Sequence, residues 1–153
     1  MSDKIKFSFY VLSEPQPMSR RDVEDIDRLI KQLSPDAPAM TEDRMMAVCY
    51  HGALALAVAE IEGQTRLIGC ATITKMESLT HRRGHVDDVV VDHEFRRMGV
   101  AHGLMAKVTE YARDQRLECL DLTSGPSREA ANALYKKLGF EQRNTNSYHK
   151  TLG

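Results

Sequence analysis

Polar and apolar side chains alternate through residues 4–12, with Ile5, Phe7, Phe9 and Val11 on one side, and this period of two predicts a first strand. Pro15 and Pro17 end it. From Ser19 the period lengthens: Val23, Ile26, Leu29, Ile30 and Leu33 recur as one helical face, with Ser19 placed to cap and Asp22 in the first turn. Pro35 and Pro38 break the chain again, and Thr41 can cap a shorter helix through Met45, Met46 and Cys49. Residues 53–61 and 66–75 read as two strands joined at Glu62-Gly63-Gln64, with a polar loop over 76–83 to follow.

The run 86–91 is β-branched except for Asp87 and Asp88 and predicts a central strand. Residues 92–97 are polar apart from Phe95 and predict a loop. Val100, Ala101, Leu104, Met105, Val108, Tyr111 and Ala112 then form one face of a long helix. A further strand is expected over 118–123, a turn at Ser124-Gly125-Pro126, and a helix capped by Ser127 that buries Ala130, Ala131, Leu134 and Leu138. Gly139 suits a left-handed helix stop, and residues 142–152 are expected to supply a closing strand or hairpin. Four strands, then helix, strand, helix and closing strand, imply an α/β (α+β) fold. It would be one domain over 1–153, with a mixed sheet covered by helices on both faces.

The chemistry concentrates where the central strand hands over to the long helix. Arg96, Arg97, Met98, Gly99, Val100, Ala101 and His102 put two cations, a glycine and small side chains at a helix start. The leading amides of a helix have no partner within it and carry partial positive charge, so this junction reads as a cradle for a pyrophosphate. It lacks the Lys-Ser/Thr ending of a P-loop and the glycine spacing of a dinucleotide site.

The pattern Arg96-x-x-Gly99-x-Ala101, following Asp88-Val-Val-Val-Asp92, resembles the acetyl-coenzyme A signature of the GNAT superfamily of N-acetyltransferases. The segment Asn132-Ala-Leu-Tyr-Lys-Lys-Leu-Gly-Phe140 is similar to that family's later motif, and the two cover roughly the last 70 residues. The resemblance implies a mostly antiparallel sheet of six to seven strands with a splayed parallel pair at its centre. It also implies an enzyme moving acetyl from acetyl-coenzyme A to a primary amine in a direct ternary complex. Backbone at Val89, Val90 and Val91 would meet the pantetheine or acetyl carbonyl, amides from Arg97 to His102 the pyrophosphate, and Tyr135 would protonate the departing thiolate. The family often carries an asparagine where this chain has Arg128, so Ser127, Arg128 and Asn132 are all candidates for coenzyme contact.

For a general base, strand alternation puts His85, Asp87, Val89 and Val91 on one face, which makes Asp87 and His85 the candidates. Glucosamine-phosphate acetyltransferases show a similar Gly-His-x-acid-Asp-Val-Val-Val run. Members that acetylate ribosomal-protein amino termini carry a glutamate where this chain has Thr123. The acceptor left open is a small molecule or a protein or peptide amine, and a non-catalytic acyl-coenzyme A sensor is the alternative class. A homodimer through the carboxyl-terminal strands also follows by analogy with the family.

Composition narrows the partners further. With 21 basic and 22 acidic residues the formal charge is −1, which argues against a protein built to grip nucleic acid. No window approaches the roughly 20 apolar residues of a membrane span, and the amino terminus has no apolar leader core, so a cytoplasmic protein is expected. Cys49, Cys70 and Cys119 are scattered in apolar settings without metal-ligand spacing, which predicts three buried free thiols and no metal.

Overall fold

The alternation in the first half of the chain becomes four consecutive antiparallel strands in the computed structural model, which describes residues 4–153. They are β1 (Lys6–Leu12), β2 (Gly52–Ile61), β3 (Gln64–Glu77) and β4 (Arg82–Val91), and a short fifth strand, β5 (Cys119–Leu122), runs parallel to β4. The sheet order is β1-β2-β3-β4-β5. The helices are α1 (Arg20–Leu33), α2 (Glu42–His51), α3 (Val100–Asp114) and α4 (Glu129–Lys137). The chain divides into two compact units, Met1–Thr123 and Ser124–Gly153.

In the first unit, β2 explains how both sheet faces are covered. Its sequence alternates alanine with larger side chains, and nearly every residue is buried. Leu54 and Leu56 join Ile26 and Leu29 of α1, Met45 and Cys49 of α2, and Cys70 and Val90 in one core cluster. Burying leucines of this kind is worth roughly 1.5–3 kcal/mol each. The opposite face is lined by small residues, which lets α3 come close. A Cβ added at Gly69 would lie 3.1 Å from Leu104 and 3.4 Å from the Ala57 Cβ, and one added at Gly103 would strike the Phe9 ring at 2.3 Å. Gly103 is therefore required by packing against β1.

The predicted caps form: Ser19 Oγ accepts from the Asp22 amide and Thr41 Oγ1 from the Arg44 amide. The β2–β3 turn is two residues long, Glu62 and Gly63, both at positive φ.

Three expectations are corrected. The sheet has five strands rather than six to seven, because residues 141–153 carry no regular structure and are exposed throughout. Their only large apolar side chains, Tyr148 and Leu152, are both exposed, so the segment buries no face that would hold it as a strand. The loop over 76–83 shrinks to 78–81, since Glu77 pairs with Arg82 across β3 and β4 and their side chains are 2.6 Å apart. Cys119 is exposed, unlike Cys49 and Cys70, because β5 is a four-residue edge strand with a partner on one side.

In the second unit, α4 is followed by Gly139 at φ +94, the left-handed stop its position suggested. Phe140 folds back, its amide donating to Tyr135 O at 2.9 Å and its ring meeting the Tyr135 ring edge-on at 5.9 Å.

Candidate active site

Two features of β4 build the site. The first is where its partner leaves: β5 pairs only from Arg83↔Cys119 to Val86↔Leu122, so Asp87 to Val91 have no β5 neighbour. A parallel strand pair that parts in this way leaves backbone donors and acceptors on one edge for a ligand. The second is a bulge at the same place. Against β3 the register runs Thr72↔Asp87 and then Cys70↔Val90, so Asp88 and Val89 together oppose the single residue Ala71.

The bulge overturns the simple alternation. His85 and Asp87 pair with Thr74 and Thr72, on the sheet face that carries Cys70, Val90 and the α1–α2 core. Val91 pairs with Gly69, on the face toward Leu104 of α3. The expected single face of His85, Asp87, Val89 and Val91 therefore does not exist, since one inserted residue reverses every side chain beyond it.

Beyond β4 the chain makes a short 3-10 turn, His93–Phe95, and enters α3 through Arg97 at φ +64 and Gly99 at φ +80. Gly99 occupies the cap position, a Cβ there would meet nothing within 4 Å, and no side chain caps the helix. The first intrahelical bond is Gly103 N to Gly99 O, so the amides of Val100, Ala101 and His102 precede the ladder. The helices α1 and α2 each have a hydroxyl cap and an acid in the first turn, whereas α3 has neither. Its positive end therefore carries neither a capping side chain nor an acid in the first turn. Arg96 Nε donates to Val91 O at 3.3 Å and ties this loop to the strand end. Arg96 and Arg97 are both exposed.

The strand end is anchored on its other side by buried charge. Asp92, 2% exposed, lies 3.2 Å from Arg28 and 3.6 Å from Arg66, accepts from the Glu94 amide, and donates its own amide to Ile68 O. Burial works against the charged form, but the Glu94 amide and the charges of Arg28, Arg66 and His93 outweigh it and hold the carboxyl below its ordinary range. Arg28 also bridges Asp25 at 2.8 Å and Leu67 O at 2.9 Å. Sequence reading did not find this cluster, because its members come from α1, β3 and the end of β4.

The carboxylates on β4 differ. Both are exposed, and Asp87 lies 3.5 Å from His85 Nε2. Asp88 has φ +52 and an Oδ2 atom 3.2 Å from Thr72 Oγ1. Desolvation pushes its pKa up, the Thr72 hydrogen bond opposes this, and the charge of Asp87 adds to the rise.

In the second unit, Asn132 Nδ2 and the Arg128 amide both donate to Gly125 O at 3.0 Å, so Asn132 is committed to its own turn. Ser127 does not cap α4: Arg128 takes that position without a side-chain bond, because the 125–128 turn brings it there. Tyr135 is buried, and burial raises its phenol pKa against the opposing charge of Arg128.

Among the described residues no group of three or more His, Cys, Asp or Glu side chains is arranged to hold a metal, and no helix is long and apolar enough to cross a membrane. Two shallow depressions of about 100 and about 260 Å³ lie elsewhere on the first unit, around Arg21 and Arg66. Arg66 in those walls is paired with Glu94 and Asp92, and neither depression holds an uncapped helix start.

Comparison with known proteins points the same way as the geometry. Residues 21–140 match the profile of the Acetyltransferase (GNAT) family. The human protein N-acetyltransferase 8 is 30% identical over 83 residues, which is 53% of this chain but only 37% of that protein, so the match spans little more than a third of the relative's length. An acetyltransferase from Trypanosoma brucei superimposes with a TM-score of 0.73 at 20% identity, covering 95% of this chain and all of that one. A structure of AAC(6')-Iy with the bisubstrate analogue CoA-S-monomethyl-acetylneamine superimposes at 0.70 and 21% identity, covering 96% of this chain and 99% of that one.

Proposed function

Because the chain belongs to the GNAT family of acetyltransferases, we propose that it moves acetyl from acetyl-coenzyme A to the primary amine of a small molecule in a direct ternary complex. The observation that carries this reading is the pairing of a bare helix start with an unpartnered strand edge. The α3 amides from Val100 to His102, with Arg96 and Arg97 beside them, suit a pyrophosphate. The edge of β4 at Val89, Val90 and Val91, abandoned by β5, suits the amide and thioester carbonyls of a pantetheine arm. The coenzyme contributes an activated acetyl group, and the protein's part is to hold it, orient the amine and manage protons.

Tyr135 is the proton donor for the departing thiolate in this reading. A phenol whose pKa lies above its ordinary value stays protonated at neutral pH and can give a proton only to a strongly basic atom. The opposite function, taking a proton from the amine, belongs to β4 in this reading, where Asp87 and His85 are the candidates that spacing singles out. Ser127 and Arg128, at the start of α4, are the second unit's candidates for coenzyme contact. Asn132 is less available because its amide is already bonded to Gly125 O. A homodimer remains part of the proposal by analogy.

Incubation with acetyl-coenzyme A and a panel of small primary amines should release free thiol. Tyr135→Phe should cut kcat about 100-fold while leaving coenzyme affinity within a few-fold. Gly99→Glu should weaken coenzyme binding at least about tenfold by placing an anion and a strained residue at the cradle. Unchanged affinity of that variant in calorimetry would count directly against the placement.

A further inference from the structure

Four described non-glycine residues have left-handed backbone: Glu62, Asp88, Arg97 and Arg116. Glu62 closes the β2–β3 turn, Arg97 shapes the loop into α3, and Arg116 follows the end of α3. Asp88 alone lies inside a strand. A glycine would adopt this conformation without penalty, so a carboxylate here costs stability that its side chain must offset by some other use. We propose that Asp88, rather than Asp87 or His85, takes the proton from the attacking amine, an assignment that rests on the acetyl-transfer reading above.

Position supports the assignment first. Asp88 is two residues past Val86, the last position paired to β5, and one residue, about 3.4 Å along the strand, before the Val89–Val91 edge assigned to the thioester. The bulge is what permits this. It sends Asp88 out of the regular alternation while Asp87 stays in register with Thr72.

Proton accounting supports it next. Thr72 Oγ1 has one hydrogen and two acceptors in reach, Asp87 O at 3.1 Å and Asp88 Oδ2 at 3.2 Å. When Asp88 is ionised, the hydroxyl donates to its carboxylate. When Asp88 is protonated, it donates to Thr72 Oγ1, and the threonine hydrogen turns to Asp87 O. Both protonation states thus keep the Thr72–Asp88 hydrogen bond, which suits a group that gains and loses a proton every turnover. The titratable groups that act on it are Asp87, itself 3.5 Å from His85 Nε2, and the Cys70 thiol on β3. That thiol is pushed up to about 12, chiefly by burial, and bonds Asp88 O at 3.5 Å.

The step balances without any further reactant. The amine nitrogen bonds to the acetyl carbon as the C–S bond breaks, nitrogen gives one proton to Asp88 Oδ, and the sulfur receives one from the acid. Solvent then resets both groups.

The test measures kcat/KM from pH 6 to 10 for wild type, Asp88→Asn and Asp87→Asn, with coenzyme affinity by calorimetry. Asparagine tolerates left-handed backbone, so the Asp88 variant should fold. Asp88→Asn should lose about 100-fold near pH 7, with the deficit shrinking toward pH 10 as free amine and hydroxide take over. Asp87→Asn should lose far less than Asp88→Asn near pH 7 and show no deficit that shrinks toward pH 10, and coenzyme affinity should hold in both. A uniform loss at every pH, or the pH-rescued loss appearing in Asp87→Asn instead, overturns the assignment. If wild type binds coenzyme but releases no thiol with any amine, acetyl transfer itself falls and this assignment with it; if wild type turns over and Asp88→Asn matches it, only the assignment falls. Carboxyl ¹³C NMR of aspartate-labelled protein needs no turnover. The resonance lost in Asp88→Asn should titrate above about 3.9, and titration at or below that value overturns the proposal.

Discussion

The two halves of β4 belong to one continuous strand and came to opposite ends. From Arg82 to Val86 the strand is paired to β3 and β5, its alternation is regular, and Gly84 and Val86 are buried. From Asp87 to Val91 it is paired to β3 alone, kinked by a bulge, and carries a left-handed aspartate. The first half is held by its neighbours on both sides. The second is held by its ends, with Val91 O bonded to Arg96 and Asp92 pinned by Arg28 and Arg66. A strand edge free of β-sheet partners is available to a ligand only if something else keeps it in place, and here a buried ionic cluster does so.

This contrast can be tested at three points along the strand. Val86→Asp buries an unpaired carboxylate in the doubly paired half and should cost at least about 4 kcal/mol, seen as loss of the cooperative melting transition.

Asp92→Asn should cost about 2 kcal/mol, because Arg28 and Arg66 each lose one of two charged partners at the anchored end. Its pH dependence has a definite sign. The folded carboxyl titrates below the unfolded one, so Asp92 stabilises fully above the ordinary carboxylate range near pH 4, and the contribution is lost as pH falls. Wild type should therefore lose more melting temperature than Asp92→Asn between pH 6 and pH 3. Equal losses would show that the cluster does not anchor the strand.

The smallest effect should be a gain. Asp88→Gly removes the left-handed penalty of a non-glycine residue inside the strand. At pH 7 it should add about 1 kcal/mol, a rise of about 2–4 °C in melting temperature. A fall would mean that the bulge depends on the aspartate for its structure.

Much of this architecture could be read from local pattern, because the forces involved are local. Ser19 and Thr41 cap the helices they precede, Glu62-Gly63 turns where two apolar runs meet, and α3 buries the stripe that its 3.6-residue spacing marks. The uncapped start of α3 was legible for the same reason: a helix start with glycine and no acid is a feature of a few consecutive residues. The strand or hairpin expected over 142–152 did not form, because too few apolar residues are present there to give it a face to bury. The bulge was not legible, since nothing in Asp-Asp-Val-Val-Val says which residue will face two neighbours or one.

The sequence by itself determined the order of the elements, the helix caps and the bare amino end of α3, each set by contacts within a few residues. Tertiary structure alone decided where β5 leaves β4, which aspartate is pushed out of register, and that Arg28 and Arg66 meet over Asp92. Those outcomes depend on pairing between distant strands, and a register shift of one residue, invisible to any local spacing, is enough to exchange the two faces of the strand.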